Sequence, residues 1–222
     1  MFINDVIIKH YLKNVYFING TAYAGKSTMA TLLANKHNMI LCGENYHTKT
    51  TSILAYPEQY PNLCYFHTMK DWQQFLNRTP EAYAAWIEGT TNELIEFEIA
   101  ELIHVSKDRK VIVDTNIPVE ILKRIADHHQ VAFLLSPQSM SVDRFFDRKD
   151  PDKQFLLSQI QKAEDPEKTL KNFRKCIAKI NSKENYDIFL NSGFFTIIRE
   201  QDDVDTCQET LIRLEEHFGL NR

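Results

Sequence analysis

The sequence predicts an α/β fold: a parallel sheet with helices on both faces and a helical lid. Three observations predict it. Short apolar runs recur at Val15-Tyr16-Phe17-Ile18, Val111-Ile112-Val113 and Val131 to Leu135, as buried strands require. Stretches with helical spacing separate these runs, and alternating strands and helices pack as a parallel sheet covered on both sides. A turn with two glycines, Gly20-Thr21-Ala22-Tyr23-Ala24-Gly25-Lys26-Ser27, joins the first run to the first of those stretches.

The elements follow in order. Residues 14–18 read as a buried strand and 26–38 as a helix with Met29, Leu32 and Leu33 inward; 39–42 read as a second strand, ending at Gly43-Glu44. Residues 48–70 show no clean period and carry Pro57 and Pro61, which predicts an irregular excursion. Thr79-Pro80-Glu81 is a helix start, a capping hydroxyl followed by proline at the first helical position. Tyr83, Trp86, Ile87, Leu94, Ile95, Ile99, Leu102 and Ile103 extend that helix, with a bend or a close contact at Gly89. Residues 110–114 form a strand ending in an acid, Asp114. Pro118 opens a helix with Ile121, Leu122, Ile125 and Ala126 inward, and a strand follows at 131–135. The charged segment 136–180, broken at Pro137, Pro151 and Pro166, reads as a mobile helical cover rather than core. Residues 186–190 and 194–198 read as short strands. Cys207, Leu211, Leu214 and Phe218 make the stripe of a last helix closed by Gly219.

Composition narrows the class. The chain has 222 residues, 43% hydrophobic and 25% charged, which is enough for one domain with a sizeable core. The net charge of −4 argues against broad nucleic-acid or anionic-membrane binding and points to a small partner. No basic leader precedes an apolar stretch, and no run approaches the ~18 apolar residues of a membrane span, so a soluble cytoplasmic protein is expected. The four cysteines, Cys42, Cys64, Cys176 and Cys207, form no Cys-x-x-Cys pair, which suits reduced thiols. Cys42, His47, Cys64 and His67 have the ligand types of a zinc set at irregular spacings, and scattered core and surface residues are the competing reading.

The 20–27 turn carries the most specific chemistry. Gly20 and Gly25 let the backbone curl so that successive N–H groups meet polyphosphate oxygens, and the following helix start adds its positive dipole end. Lys26 would reach the β- and γ-phosphates, and Ser27 would hold Mg²⁺, with Thr28 next on the helix. A second acid, Asp114, stands at the end of a buried strand, where ligands bind in open parallel sheets. Two roles fit it: holding Mg²⁺ through water, or accepting the proton of an attacking hydroxyl. A strand-end Asp capping a turn is the alternative. Thr115 follows Asp114, so the Asp-Glu pair of many motor ATPases is missing. No Asp-x-x-Gly follows the strand, and Asn35-Lys36-His37-Asn38 lacks the final Asp of the guanine-reading signature.

With those classes disfavoured, the 20–27 loop and Asp114 resemble the small phosphate-loop kinases: nucleoside-monophosphate kinases, shikimate kinase, and the chloramphenicol phosphotransferase and zeta-toxin groups. The resemblance implies a three-layer P-loop NTPase fold across 1–222, with an acceptor-binding insertion at about 44–80 and a lid at about 136–180. It implies that Gly20, Thr21, Ala22, Tyr23, Ala24, Gly25, Lys26, Ser27 and Thr28 bind the donor, with ATP and Mg²⁺ as cofactors. The acid expected after the second strand falls at Glu44, where such families usually carry Asp, leaving the base open between Asp114 and Glu44. In the lid, Arg144 and Arg148 are four apart and would share one helical face, folding onto the transferring phosphoryl group. Pairing with Asp143, Asp147 and Asp150 on a solvated helix is the equal alternative. Arg174 is a further lid cation. The donor base maps to Asn191-Ser192-Gly193 and Arg199, with ATP chosen from the resemblance alone.

The acceptor pocket is expected between Glu44 and the long helix, with Tyr46, His47, Tyr56, Tyr60, Tyr65, Phe66, Trp72 and Arg78 in or near it. The expected function is transfer of the γ-phosphoryl of Mg·ATP to a small acceptor, nucleoside-like or a hydroxylated metabolite. A toxin-like kinase of a nucleotide sugar or macromolecule, and a nucleotide-dependent binding switch without turnover, are the alternatives. Sequence leaves the acceptor and the oligomeric state open.

Overall fold

The computed structural model describes residues 3–147, 151–200 and 205–221. Five strands build the sheet: β1 (Val15–Gly20), β2 (Ile40–Cys42), β3 (Val111–Asp114), β4 (Val131–Leu135) and β5 (Phe195–Ile198). They lie in the order β2-β3-β1-β4-β5, and every pairing is parallel. The three central strands, β3, β1 and β4, are buried throughout, as their apolar runs predict.

Side-chain alternation divides the core in two. Tyr16, Ile18, Ile112, Ala132 and Leu134 face one layer, while Val15, Phe17, Val111, Val113, Val131, Phe133 and Leu135 face the other. On the first face lie α2 (Lys26–His37), through Met29, Ala30 and Leu33, and α12 (Cys207–His217), through Leu211 and Leu214. On the second lie α1 (Asp5–Tyr11), the C-terminal part of α6 (Pro80–Val105), α7 (Val119–Ile125) and α11 (Lys183–Leu190). The layers are therefore helix, parallel sheet, helix. Local chemistry sets several boundaries. Asn38 ends α2 in the left-handed region at φ 50°, and Thr79 caps α6 by accepting from Ala82 N at 3.2 Å. Gly89 is a close contact: a Cβ there would lie 2.5 Å from Asn62 Nδ2, and Glu93 accepts from that same amide at 2.6 Å.

A third apolar cluster stands off the sheet. It joins the first half of α6 to α5 (Trp72–Leu76), α9 (Pro151–Ile160) and α10 (Pro166–Ile180), with Leu76, Ile160 and Phe173 fully buried. This corrects the expectation that 136–180 is cover rather than core: Phe173, Cys176 and Ile177 recur at helical spacing and bury against Phe75 and Tyr83. The irregular excursion expected over 48–70 contains two helices, α3 (Thr48–Leu54) and α4 (Tyr65–Thr68). The strand expected at 186–190 is the end of α11, started by Ser182, whose hydroxyl accepts from Asn185 N. Tyr186 and Phe189, three apart, pack on the sheet from this helix, and a five-residue window could not separate that period from a strand's. Among the described residues no helix is long and apolar enough to cross a membrane.

Candidate functional site

A parallel sheet gathers its strand ends on one edge. The registers place Ile18 beside Asp114, Cys42 beside Val113, Gly20 beside Leu134, and Leu135 beside Ile198. The residues that follow, the 21–27 loop, Gly43-Glu44, Thr115, Ser136 and Arg199, consequently emerge together. Ligands of open α/β sheets bind at this carboxyl edge.

The loop is held by steric exclusion and by small hydroxyls. At Gly20, φ is 126° and a Cβ would lie 1.9 Å from Leu134 O, so a larger residue would strike β4 backbone. Tyr23 and Gly25 have φ of 66° and 90°, and Gly25 is the residue from which α2 starts. Left-handed residues in a turn that opens a helix make an anion-binding concavity. Thr21 N donates to Leu134 O at 3.1 Å, and Thr21 Oγ1 accepts from Ser136 N at 2.7 Å. Ser136 Oγ then donates to Ala22 O at 2.6 Å, and Ser141 Oγ to the same oxygen at 3.1 Å. Lys26 Nζ donates to Thr21 O at 3.0 Å, which keeps the ammonium against the loop. Ala24 is buried in the first core layer, whereas Thr28 is exposed on the first turn of α2.

Beside the loop stand two carboxyls with different surroundings. Asp114 is 2% exposed, and its Oδ2 accepts from Ser27 Oγ at 2.6 Å. Thr115 points instead toward α6, where Glu98 Oε2 accepts from its hydroxyl at 2.7 Å. Glu98 is 5% exposed, and burial pushes its carboxyl up to about 7. The Thr115 hydrogen bond opposes that rise, and the charge of Glu44 adds to it. Glu44 itself is exposed. Tyr46 OH donates to Glu98 O at 3.2 Å, and its phenol is pushed far up by burial and by the Glu98 charge. His47 is buried, and desolvation lowers its imidazole although Glu101 and Glu44 pull the other way.

Sequence reasoning missed Glu98, Ser136 and Ser141. For Glu98 the signal was present: it is three residues after Ile95 and four before Leu102, an acid on the apolar stripe of a helix. It also missed Lys153, from α9, whose Nζ lies 5.9 Å from the Tyr23 ring and 5.1 Å from the Phe145 ring.

Other expected site residues lie elsewhere. Asn191 caps α11 and precedes β5, so it sits at the amino edge of the sheet, opposite the loop; Gly193 O there meets His128 Nε2 at 3.0 Å. The error followed from taking 186–190 as a strand. Arg199, after β5, is on the loop's side, and its Nη1 donates to Tyr23 O at 3.5 Å. It lines a small cavity of about 60 Å³ with Ala24, Thr206 and Arg213. Arg174 lines an open groove between α10 and α8 (Gln138–Asp143), a groove that no residue of 20–28 lines. Arg144 ends α8 and lies in the turn closed by Asp147 N and Arg144 O at 3.1 Å, rather than on a helical face. Arg148 lies outside the described residues.

The expected acceptor residues do not converge: Tyr56 is exposed and Tyr60 packs edge-on against Phe97 of α6. Tyr65, Phe66 and Trp72 belong to the third cluster, where the Arg78 guanidinium lies 3.8 Å from the Tyr65 ring centroid. Tyr46 and His47 alone of the eight adjoin Glu98 or Glu44 by a hydrogen bond or charge that the structure records. Cys42 and Cys64 are buried thiols, the first pushed up to about 11 by desolvation. Among the described residues no three His, Cys, Asp or Glu side chains converge on a metal-ion position.

Fold and edge together define an α/β protein with a five-stranded parallel sheet between helical layers. No family model matches the chain, and no curated protein does. Among solved structures it is similar to one described as the crystal structure of an uncharacterized protein from Eubacterium ventriosum ATCC 27560. The identity is 17% and the TM-score 0.35, over 91% of this chain and 98% of that one.

Proposed function

We propose that the chain is a phosphate-loop phosphotransferase that moves the γ-phosphoryl of Mg·ATP to a small acceptor. The observation that carries this reading is the 20–27 loop: glycine-dependent at both ends, opening α2, with Ser27 hydrogen-bonded to Asp114 at 2.6 Å. Lys26 is the cation for the β- and γ-phosphates. Ser27 and Asp114 offer adjacent oxygen donors, which suits a hard cation such as Mg²⁺ held partly through water. That ion, when bound, supplies charge neutralisation on the phosphates. The base of the nucleotide lies on the Arg199 side in this reading, and Asn191 takes no part. Lys153 joins Arg144 and Arg148 as a candidate cation of the cover, and closure over the loop would keep water from the phosphoryl group.

The test is a pooled-metabolite phosphorylation assay with Mg·ATP, read by mass spectrometry, with Lys26→Ala as control. A new phosphorylated mass made by the wild type and reduced at least 100-fold in Lys26→Ala is the expected result. Near-normal turnover in that variant would sink the mechanism.

A further inference from the structure

The guanidinium of Arg78 is a cation enclosed by rings and left without an anion. It lies 3.8 Å from the ring centroid of Tyr65, 5.5 Å from that of Phe75 and 5.4 Å from that of Trp86, so α4, α5 and α6 each contribute a wall. Ring faces attract the charge, but they are weak acceptors for the N–H groups that radiate in the guanidinium plane. Those N–H groups find no carboxylate or carbonyl among the described residues, and Nη1 is buried without a partner.

The backbone pins the residue in this place. Arg78 N donates to Phe75 O at 3.3 Å, and Arg78 O accepts from Asn172 Nδ2 of α10 at 2.8 Å. Native interiors pair nearly all their buried donors, and a charged donor left unpaired is costlier still. An apolar side chain of the same volume would fill the space between the three rings at lower cost, so packing alone does not account for a guanidinium here. The enclosure also opens on one side. Phe66, 41% exposed, stands 5.1 Å from Phe75, 5.4 Å from Trp86 and 5.2 Å from Trp72 between ring centroids, so the wall around Arg78 continues to a ring at the surface.

The geometry points to an anion site in the helical cluster: Arg78 receives the carboxylate or phosphate oxygens of a small molecule whose flat or apolar body lies along Phe66 and Trp86. The planar fork of a guanidinium matches both kinds of oxyanion, and the rings supply area for the rest of the ligand. This site stands apart from the phosphate loop, since no residue of 20–28 belongs to the cluster, and it does not depend on the phosphotransfer reading.

Both tryptophans of the chain, Trp72 and Trp86, stand in this cluster, so intrinsic fluorescence reads the site directly. Phenyl phosphate, benzoate and the uncharged benzyl alcohol are titrated into the wild type, Lys26→Ala and Arg78→Met. A saturable change is expected with at least one of the two anions, about tenfold or more tighter than with benzyl alcohol and about tenfold or more weaker in Arg78→Met. Response to phenyl phosphate alone would assign a phosphate ligand, and response to benzoate alone a carboxylate. Lys26→Ala should leave the response unchanged. Arg78→Met keeps apolar volume and removes an unpaired charge, so its Tm should equal or exceed that of the wild type. Should that variant fail to fold, Arg78→Lys, which keeps the charge without the fork, takes its place with the same expected loss of affinity. No saturable response to either anion, an equal response in Arg78→Met, or an equal response to benzyl alcohol would each overturn the inference. Loss of the response in Lys26→Ala would place the anions on the loop and overturn it as well.

Discussion

The loop at the sheet edge and the helical cluster around Phe173 are held by opposite means. The loop depends on backbone: Gly20 against Leu134 O, left-handed Gly25, and the hydroxyls of Thr21 and Ser136. The cluster depends on side-chain volume, with Phe75, Tyr83 and Phe173 in ring contact and Phe145 and Phe146 packed on Phe173 from the turn after α8. A single atom in the wrong place breaks the first, while the second yields in proportion to the volume removed. Substitutions in the two regions should therefore differ in kind as well as in size.

The largest effect is expected at Gly20. In Gly20→Ala the new methyl meets Leu134 O at 1.9 Å, in a backbone conformation that alanine rarely adopts. Neither strand can move without breaking the β1–β4 pairing, so a loss of more than about 4 kcal/mol is predicted in denaturant titration. Phe173→Ala removes a fully buried ring from the cluster and should cost about 3–5 kcal/mol by the same measurement, while Mg·ATP affinity changes little if the loop is independent. Large loss of nucleotide affinity in Phe173→Ala would show that the two regions act as one.

Glu98 lies between the regions, and its sign is opposite. Its folded carboxyl is raised from 4.5 to about 7, so between those values the folded protein holds a proton the unfolded chain has released. Its contribution is present at low pH, declines as pH rises through that window, and is flat above it. Glu98→Gln should remove this slope and raise stability at pH 8 by about 1–3 kcal/mol, seen as a higher Tm. An unchanged pH dependence of Tm would contradict a buried carboxyl that holds its proton up to about pH 7. The smallest effect is expected at Thr79→Ala, which deletes the α6 cap and should cost about 1 kcal/mol without altering transfer.

The same contrast governs what the sequence makes legible. The strands β1, β3 and β4, the cap at Thr79 and the 20–27 turn rest on local patterns: apolar runs, a hydroxyl before proline, glycines at fixed spacing. What was missed rests on contacts between distant residues. Glu98 meets Thr115 across 17 positions, Ser136 meets Ala22 across 114, and Phe173 meets Phe75 and Tyr83 only in the folded chain. Asn191 went to the wrong edge because one short window, 186–190, fits a strand's alternation and a helix's period alike. A single misassigned element moved a residue across the whole sheet.

The most direct test of the central claim is titration calorimetry of Mg·ATP into the wild type and Lys26→Ala. The account predicts saturable one-to-one binding by the wild type, dependent on Mg²⁺, and affinity at least tenfold weaker in the variant. No binding by the wild type, or equal affinity in Lys26→Ala, would contradict it.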